Sequence, residues 1–342
     1  MNLSVSASDQ DRKQLLQDWL ASLSAYQFSA IQPASADASF RRYFRTTDEN
    51  TGQTYIVMDA PPEKEDCGPF VRVTKILRNA GINAPEIYAE NTEQGFLLLA
   101  DLGDQPYLNH LNDKHVETLY ADAISALVRM QNIKADAMSE LPAYDEPKLR
   151  DEMQLFESWY LNRHLDVHLD AQQKTELTAV FNMLIISALE QPQVFVHRDY
   201  HSRNLMLTQH DNPGVIDYQD AVVGPCTYDL VSLLKDCYIE WPREKIEQWL
   251  HDYFLKSRVA QEYVLHLPQF IQWFDFMGVQ RHLKVLGIFA RLNYRDGKAQ
   301  YLNDLPLTLK YVLDACQRYE ELEPLQQLLE QTVLHHPRVT PA

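Results

Sequence analysis

The chain has 342 residues, 45% hydrophobic and 11% aromatic, enough apolar side chain for one large domain or two lobes with cores of their own. A formal charge of −17, from 48 Asp and Glu against 31 Lys and Arg, excludes nonspecific binding to nucleic acid, which needs dense cations. Cys67, Cys226, Cys237 and Cys316 form no CxxC pair, no basic segment leads into an apolar one at the start, and no apolar run nears the roughly 20 residues that cross a bilayer; a cytoplasmic protein with reduced thiols, no signal peptide and no membrane segment is expected.

In chain order, a Ser8/Asp9 cap signal precedes Leu15, Leu16, Trp19, Leu20 and Leu23 at helical intervals, so the first element is a helix from Asp9 to about Tyr26. Strand signals follow in "FSAIQPAS", "FRRYFRTT" and "TYIVMDA", the last two separated by the turn "DENTGQ". "CGPFVRVTKILRNAG" reads as a helix ended by Gly81, and "PEIYAEN" and "GFLLLADLG" as two further strands. After Gly103 helical periodicity takes over, at 115–132, 148–163, 171–190, 225–236, 242–260, 270–292, 305–320 and 322–334. The exception is 194–217, where "VFV", "LMLT" and "GVIDY" are short apolar strands between polar loops. The expected fold is α+β and bilobal: a small antiparallel-sheet lobe over 1–103, a hinge near 100–103, and a larger, mainly helical lobe over 104–342.

The densest polar stretch is "VHRDYHSRN", 196–204. His197, Asp199 and His201 suggest a zinc site, but no HExxH or cysteine cluster supplies further ligands. The same loop fits H-x-D-x-x-x-x-N, and an apolar strand then delivers "IDYQD" at 216–220. Phosphoryl transfer asks for this set: Asp199 to orient the attacking hydroxyl and take its proton, Asn204 and Asp217 as hard oxygen ligands holding Mg²⁺ against the phosphates. Only seven residues separate Asp217 from Pro225 and no Ala-Pro-Glu-type motif follows, so a docking segment for a polypeptide substrate is lacking and a small acceptor is expected.

"HRDYHSRN", "IDYQD" and "GPCTYDLVSLL" (224–234) resemble the protein-kinase-like phosphotransferases that act on small molecules, the aminoglycoside and choline kinases, over roughly 28–290. "ASFRRYFR", "IVMDAPPEKED", "PFVRVTKIL", "LLLADLGD" and "QRHLKVLGIFARL" resemble one branch, the cell-wall-recycling anomeric sugar kinases. That branch phosphorylates the 1-hydroxyl of N-acetylmuramate and N-acetylglucosamine. The resemblance implies ATP as donor, Mg²⁺, nucleotide binding by the N-terminal lobe, an amino-sugar acceptor, and a monomer. Two alternatives stay open: a kinase of another small compound such as an aminoglycoside or choline, and a pseudokinase that only binds a nucleotide.

The chain departs from the protein-kinase pattern in two places. No glycine-rich phosphate loop lies in "ADASFRRYF", and the third strand offers Met58 and Asp59 where a Lys is usual. Another cation must therefore help with ATP, and Arg41, Arg42 and Arg45 are the candidates, with Lys64 and Lys75 in reserve. Strand alternation puts Arg41 and Arg45 on one face and Arg42 on the other. Ser39 and Phe40 beside them, and Asp101 and Leu102 at the hinge, complete the expected nucleotide contacts. On the acceptor side the candidates are His201, Arg203, Arg281, His282 and Lys284, with Arg203, Arg281 or Lys284 for a lactyl carboxylate. The bland reading of Arg281, His282 and Lys284 is a solvated helix face, that of His201 an exposed neighbour, and that of Trp241, Trp249 and Trp273 ordinary core. His197 and Asp229 are expected to brace the loop, and Asp220 to support the metal ligands or cap the next turn.

Overall fold

The computed structural model describes residues 7–36, 40–262 and 266–339. Two compact units form, Met1–Asp104 with Met206–Gln219, and Gln105–Leu205 with Asp220–Ala342.

The first unit begins with α1 (Ala7–Ser22) and continues with β1 (Gln32–Ala36), β2 (Arg42–Thr47), β3 (Thr54–Asp59), α2 (Gly68–Asn79), β4 (Ile87–Asn91) and β5 (Phe96–Ala100). The strands make one antiparallel sheet in the order β1-β2-β3-β5-β4. Period-two alternation builds its core: Tyr55, Val57, Phe96 and Leu98 turn to one face and meet Leu16, Trp19 and Leu20 of α1. α2 opens with Pro69 in its first turn and buries Phe70, Val71, Val73, Thr74 and Leu77. Gly81, at φ 72°, makes the left-handed turn that ends it.

The second unit holds α3 (Val116–Gln131), α4 (Glu146–Leu155), a π-helical stretch Phe156–Leu165 and α5 (Ala171–Leu189). α5 is capped by a reciprocal pair, with Asp170 accepting from the Gln173 N–H and the Gln173 side chain accepting from the Asp170 N–H. β6 (Gln193–Val196) follows, then the polar loop. The chain next runs through β7 (Leu205–Met206) and β8 (Gly214–Val215). Met206–Gln219 groups with the first unit rather than with the helical one, which departs from a single boundary after residue 103. The reasons are local: Val215 N–H donates to Asn83 O at 2.8 Å, and Tyr218 bonds Thr74 through its hydroxyl at 2.8 Å with its ring 5.0 Å from that of Phe70.

β9 (Val222–Pro225) pairs antiparallel with β6 and takes Pro225 from the helix expected over 225–236, which begins only at Tyr228 as α6 (Tyr228–Leu234). The helix expected over 242–260 is broken at Ser257 into α7 (Arg243–Lys256) and α8 (Arg258–Glu262). α9 (Leu267–Asp296) runs 30 residues, about 45 Å at 1.5 Å per residue, and packs against α4, α5, α6 and the π-helical stretch. α10 (Leu305–Cys316) and α11 (Glu323–Thr332) complete the unit. Trp241, Trp249 and Trp273 are buried, as expected of core. Among the described residues no helix is long and apolar enough to cross a membrane.

Candidate active site

The polar loop leaves β6, whose Val194, Phe195 and Val196 are buried and locked to β9. It must turn at once, without a glycine, and Arg198 takes φ 79°, a costly value for a side chain with a Cβ. Asp229 in the first turn of α6 holds that turn: its carboxylate accepts the N–H of His197 at 2.6 Å and of Arg198 at 2.9 Å. Complete burial pushes the Asp229 carboxyl up to about 7, against those donors and the Arg281 charge, which pull it down. The bracing expected of Asp229 is thus a pair of main-chain hydrogen bonds. His197 is fully buried and its Nδ1 accepts the Asp199 N–H at 3.2 Å, which puts the ring proton on Nε2.

Beyond Asp199 the loop folds on itself. His201 N–H donates to Asp199 O at 3.0 Å and Asn204 N–H to His201 O at 2.9 Å. Asn204 Nδ2 donates to Asp199 O at 3.0 Å, which turns Oδ1, the end a hard cation takes, the other way. Ser202 is anchored through its N–H, 3.0 Å from Asp236 Oδ2, and through its hydroxyl on the same oxygen. Asp199 and Asn204 are brought together by these bonds; both side chains are half-buried.

Desolvation by itself would raise the Asp199 carboxyl, but Lys284, His201, Arg281 and Arg198 outweigh it and hold the group down to about 2. Lys284 and Arg198 are fixed by one carboxylate. Glu152 on α4 lies 3.2 Å from Lys284 Nζ and accepts from both Arg198 and the Tyr144 hydroxyl, while Lys284 Nζ donates to Tyr228 Oη at 2.9 Å. Glu152 escaped notice in the sequence, though a signal exists. It sits between Leu149, Met153 and Phe156 on the apolar face of its helix, where an unpaired carboxylate is not stable. Asp236 and Ser232 were likewise unremarkable in an apolar run.

The acceptor-side candidates separate. Arg281, His282 and Lys284 are exposed by 4%, 0% and 6%, which overturns the solvated-face reading of all three. His282 turns away from the loop: its Nε2 is 3.0 Å from Lys235 O, its ring stacks on Tyr311, and burial brings it down to about 3. One helical step is 100°, so adjacent residues cannot share a face with Arg281. His201 is half-buried, with its ring edge against Tyr238, and burial lowers its basicity. Arg203 is exposed and places its guanidinium 3.5 Å from the centre of the Tyr238 ring.

In the first unit Asp217 follows the buried strand residue Val215, takes φ 65°, and accepts from Gln219 Nε2 at 2.8 Å. A second non-glycine residue in the left-handed region marks this loop, like the Asp199 loop, as held in a specific shape. Each arginine of "FRRYFR" already has a carboxylate. Arg41 Nε is 2.9 Å from Glu65, and Arg42 reaches Asp59 Oδ2 through Nε at 3.0 Å and Nη2 at 2.6 Å. Arg45 forks onto Asp101 at 2.6 and 2.9 Å. Asp59, which stands where a lysine is usual, is 1% exposed and bridged by Arg42 and Arg12. Burial opposes the charge on Asp101, but Arg45 and the Gly103 N–H hold it below its ordinary value, so it is engaged by a cation of the protein, and Leu102 packs beside Gly214. Phe40 is 62% exposed with Lys64 5.2 Å from its ring centre. Ser39 lies outside the described residues.

Among the described residues no group of three or more His, Cys, Asp or Glu side chains is arranged to hold a metal, so the zinc reading of His197, Asp199 and His201 has no geometry behind it. Asn204 carries an amide oxygen and Asp217 a carboxylate, each a hard oxygen donor of the kind Mg²⁺ prefers, on separate units.

A model described as the phosphotransferase enzyme family matches residues 30–263. A protein of Pseudomonas aeruginosa named N-acetylmuramate/N-acetylglucosamine kinase is 46% identical over 336 residues, covering 94% of this chain and 97% of that protein. One of the same name from Pseudomonas putida is 46% identical over 301 residues, 88% of this chain and 87% of the other. Among solved structures, an ethanolamine kinase of Plasmodium vivax matches 92% of this chain and 97% of its own with a TM-score of 0.62 at 13% identity, a likeness of fold.

Proposed function

The chain belongs to the phosphotransferase enzyme family, and from that premise we propose that it transfers the γ-phosphoryl group of ATP to the anomeric 1-hydroxyl of N-acetylmuramate and N-acetylglucosamine, as a cytoplasmic monomer. The observation that carries the substrate is the 46% identity, across nearly the whole chain, to proteins bearing that name.

Asp199 accepts the hydrogen bond of the attacking hydroxyl and aims its oxygen. Held near 2, it is ionised at any working pH and is too weak a base to strip an alcohol early. It takes the proton late, as the bond to phosphorus forms, which suits a loose phosphoryl-transfer transition state. An anomeric hydroxyl, more acidic than an ordinary alcohol, eases that last transfer. Mg²⁺, held by Asn204 and Asp217, would neutralise charge on the phosphates. The bond from the Asn204 side-chain amide to the Asp199 carbonyl oxygen ties the proposed metal ligand to the base.

The test is Mg²⁺-dependent ATP turnover on a panel of N-acetylmuramate, N-acetylglucosamine, choline and an aminoglycoside, with the product placed by phosphorus–proton NMR coupling. A reducing-end 1-phosphate from the two amino sugars, with their methyl glycosides inert, is expected. A 6-phosphate, or turnover restricted to choline or aminoglycoside, sinks the reading; nucleotide binding with no turnover at all makes the chain a pseudokinase.

A further inference from the structure

Arg281 is a buried cation without a buried anion of its own. Its Nε donates to Ser232 Oγ at 2.7 Å, and its guanidinium carbon is 5.7 Å from the centre of the Tyr228 ring. Both partners are neutral. Its terminal nitrogens make no hydrogen bond to any described residue, yet they are not sealed in. The other deeply buried cations of this unit are paired: Lys235 with Asp275 at 2.8 Å, Lys284 with Glu152 at 3.2 Å. The carboxylates whose charge reaches Arg281 are Asp199, Asp229 and Asp236, and Asp229 is committed to the N–H groups of His197 and Arg198. Asp236 is committed to Ser202 and, at 3.1 Å, to the N–H of Tyr238, and Asp199 is committed to the acceptor hydroxyl. Burying an uncompensated cation is costly, and a protein keeps one where a ligand brings the opposite charge.

We propose that Arg281 receives a carboxylate of the acceptor, the lactyl carboxylate of N-acetylmuramate, and thereby sets the preference of this enzyme between that sugar and the neutral N-acetylglucosamine; the assignment rests on the acceptor reading given above. A guanidinium fork matches a carboxylate through two parallel hydrogen bonds. The two other cations considered for this role are placed for different ones, Lys284 by Glu152 and Tyr228, and Arg203 by stacking on Tyr238 at the exposed edge.

The experiment measures kcat/KM of wild type, Arg281→Met and Arg281→Lys for N-acetylmuramate, its methyl ester and N-acetylglucosamine. Any change in Asp199 caused by losing its neighbour affects the three acceptors alike and cancels in their ratios. In Arg281→Met the N-acetylmuramate to N-acetylglucosamine ratio falls by roughly 100-fold or more, the scale of truncating one partner of a buried charge pair. Arg281→Lys, which keeps the charge and loses the fork, falls less. Wild type favours the acid over its ester by a similar factor, and Arg281→Met does not distinguish them. An unchanged ratio in Arg281→Met, or equal use of acid and ester by wild type, overturns the proposal, and the second result needs no variant to fold. Failure of wild type on both sugars refutes the acceptor reading instead, which the panel above reports separately.

Discussion

Asp199 shows how far a single side chain is set by its surroundings. In the loop it is one acid among several polar residues; in the fold it is a half-buried carboxylate whose neighbours are cations, and its proton leaves at about pH 2. The sign follows directly. A carboxyl held below its free value of about 4 stays ionised over the whole physiological range and loses its charge only in strong acid. The pH profile of kcat/KM should therefore show no acid limb from Asp199 between about pH 5 and about pH 8. Asp199→Asn should lower kcat by roughly 10²- to 10⁴-fold, since proton acceptance is lost and the amide orients the hydroxyl less well. The ATP KM should move little. Near-normal turnover in that variant, measured by coupled assay, would remove the residue from the mechanism. The residue type and its H-x-D-x-x-x-x-N spacing were legible in the sequence. The cations that tune it were only partly so: Arg198 is its neighbour in the loop, but Lys284 and Arg281 lie on α9, and Glu152, which fixes Arg198 and Lys284, lies on α4.

At the scale of elements, α9 organises the helical unit, and one glycine decides how closely a neighbour can come. A methyl group on Gly287 would lie 2.3 Å from the carbonyl carbon of Leu155 and 2.4 Å from its oxygen, where α4 passes into the π-helical stretch. Backbone cannot yield as a flexible side chain does. Gly287→Ala should destabilise the protein by about 1–3 kcal/mol, the usual scale of overpacking, with a lower Tm in thermal unfolding. Gly278→Ala on the same helix is the control, since its methyl meets nothing nearer than 3.6 Å. A wild-type Tm for Gly287→Ala would show that the two helices separate at little cost. Periodicity located α9 and α4 in the sequence but said nothing of this approach, because a helical pattern records which face is apolar and not which backbone lies against it. The expected helix over 148–163 likewise concealed its change to π-helical winding after Leu155.

At the scale of the molecule, the two proposed metal ligands belong to different units, Asn204 to the helical one and Asp217 to the sheet-bearing one. Their roles are unequal. A carboxylate brings charge as well as an oxygen to a divalent cation, an amide only the oxygen. Asp217→Ala should abolish activity at every Mg²⁺ concentration, whereas Asn204→Ala should recover part of its activity as Mg²⁺ is raised. A Mg²⁺ titration of turnover for both variants reads this out, and wild-type metal dependence in both would withdraw the assignment.

The sequence by itself determined most of the elements of this protein and named the candidates for its reacting groups. Both are local properties: alternation in "TYIVMDA", helical spacing in 115–132, and the fixed interval from His197 to Asn204 are written in consecutive residues. Only the tertiary structure decided which charges are paired and which are left for a ligand. Arg42 and Arg45, read as candidates for phosphate, meet Asp59 and Asp101 from other strands, and Met206–Gln219 joins the first unit through Asn83, Thr74 and Phe70. Arg281, equally charged and far more deeply buried in the middle of a helix, meets only the hydroxyl of Ser232 and the face of Tyr228. The difference between a spent arginine and an available one depends on partners brought from distant parts of the chain, and ionic contacts, unlike hydrophobic periodicity, leave no pattern in the neighbouring sequence.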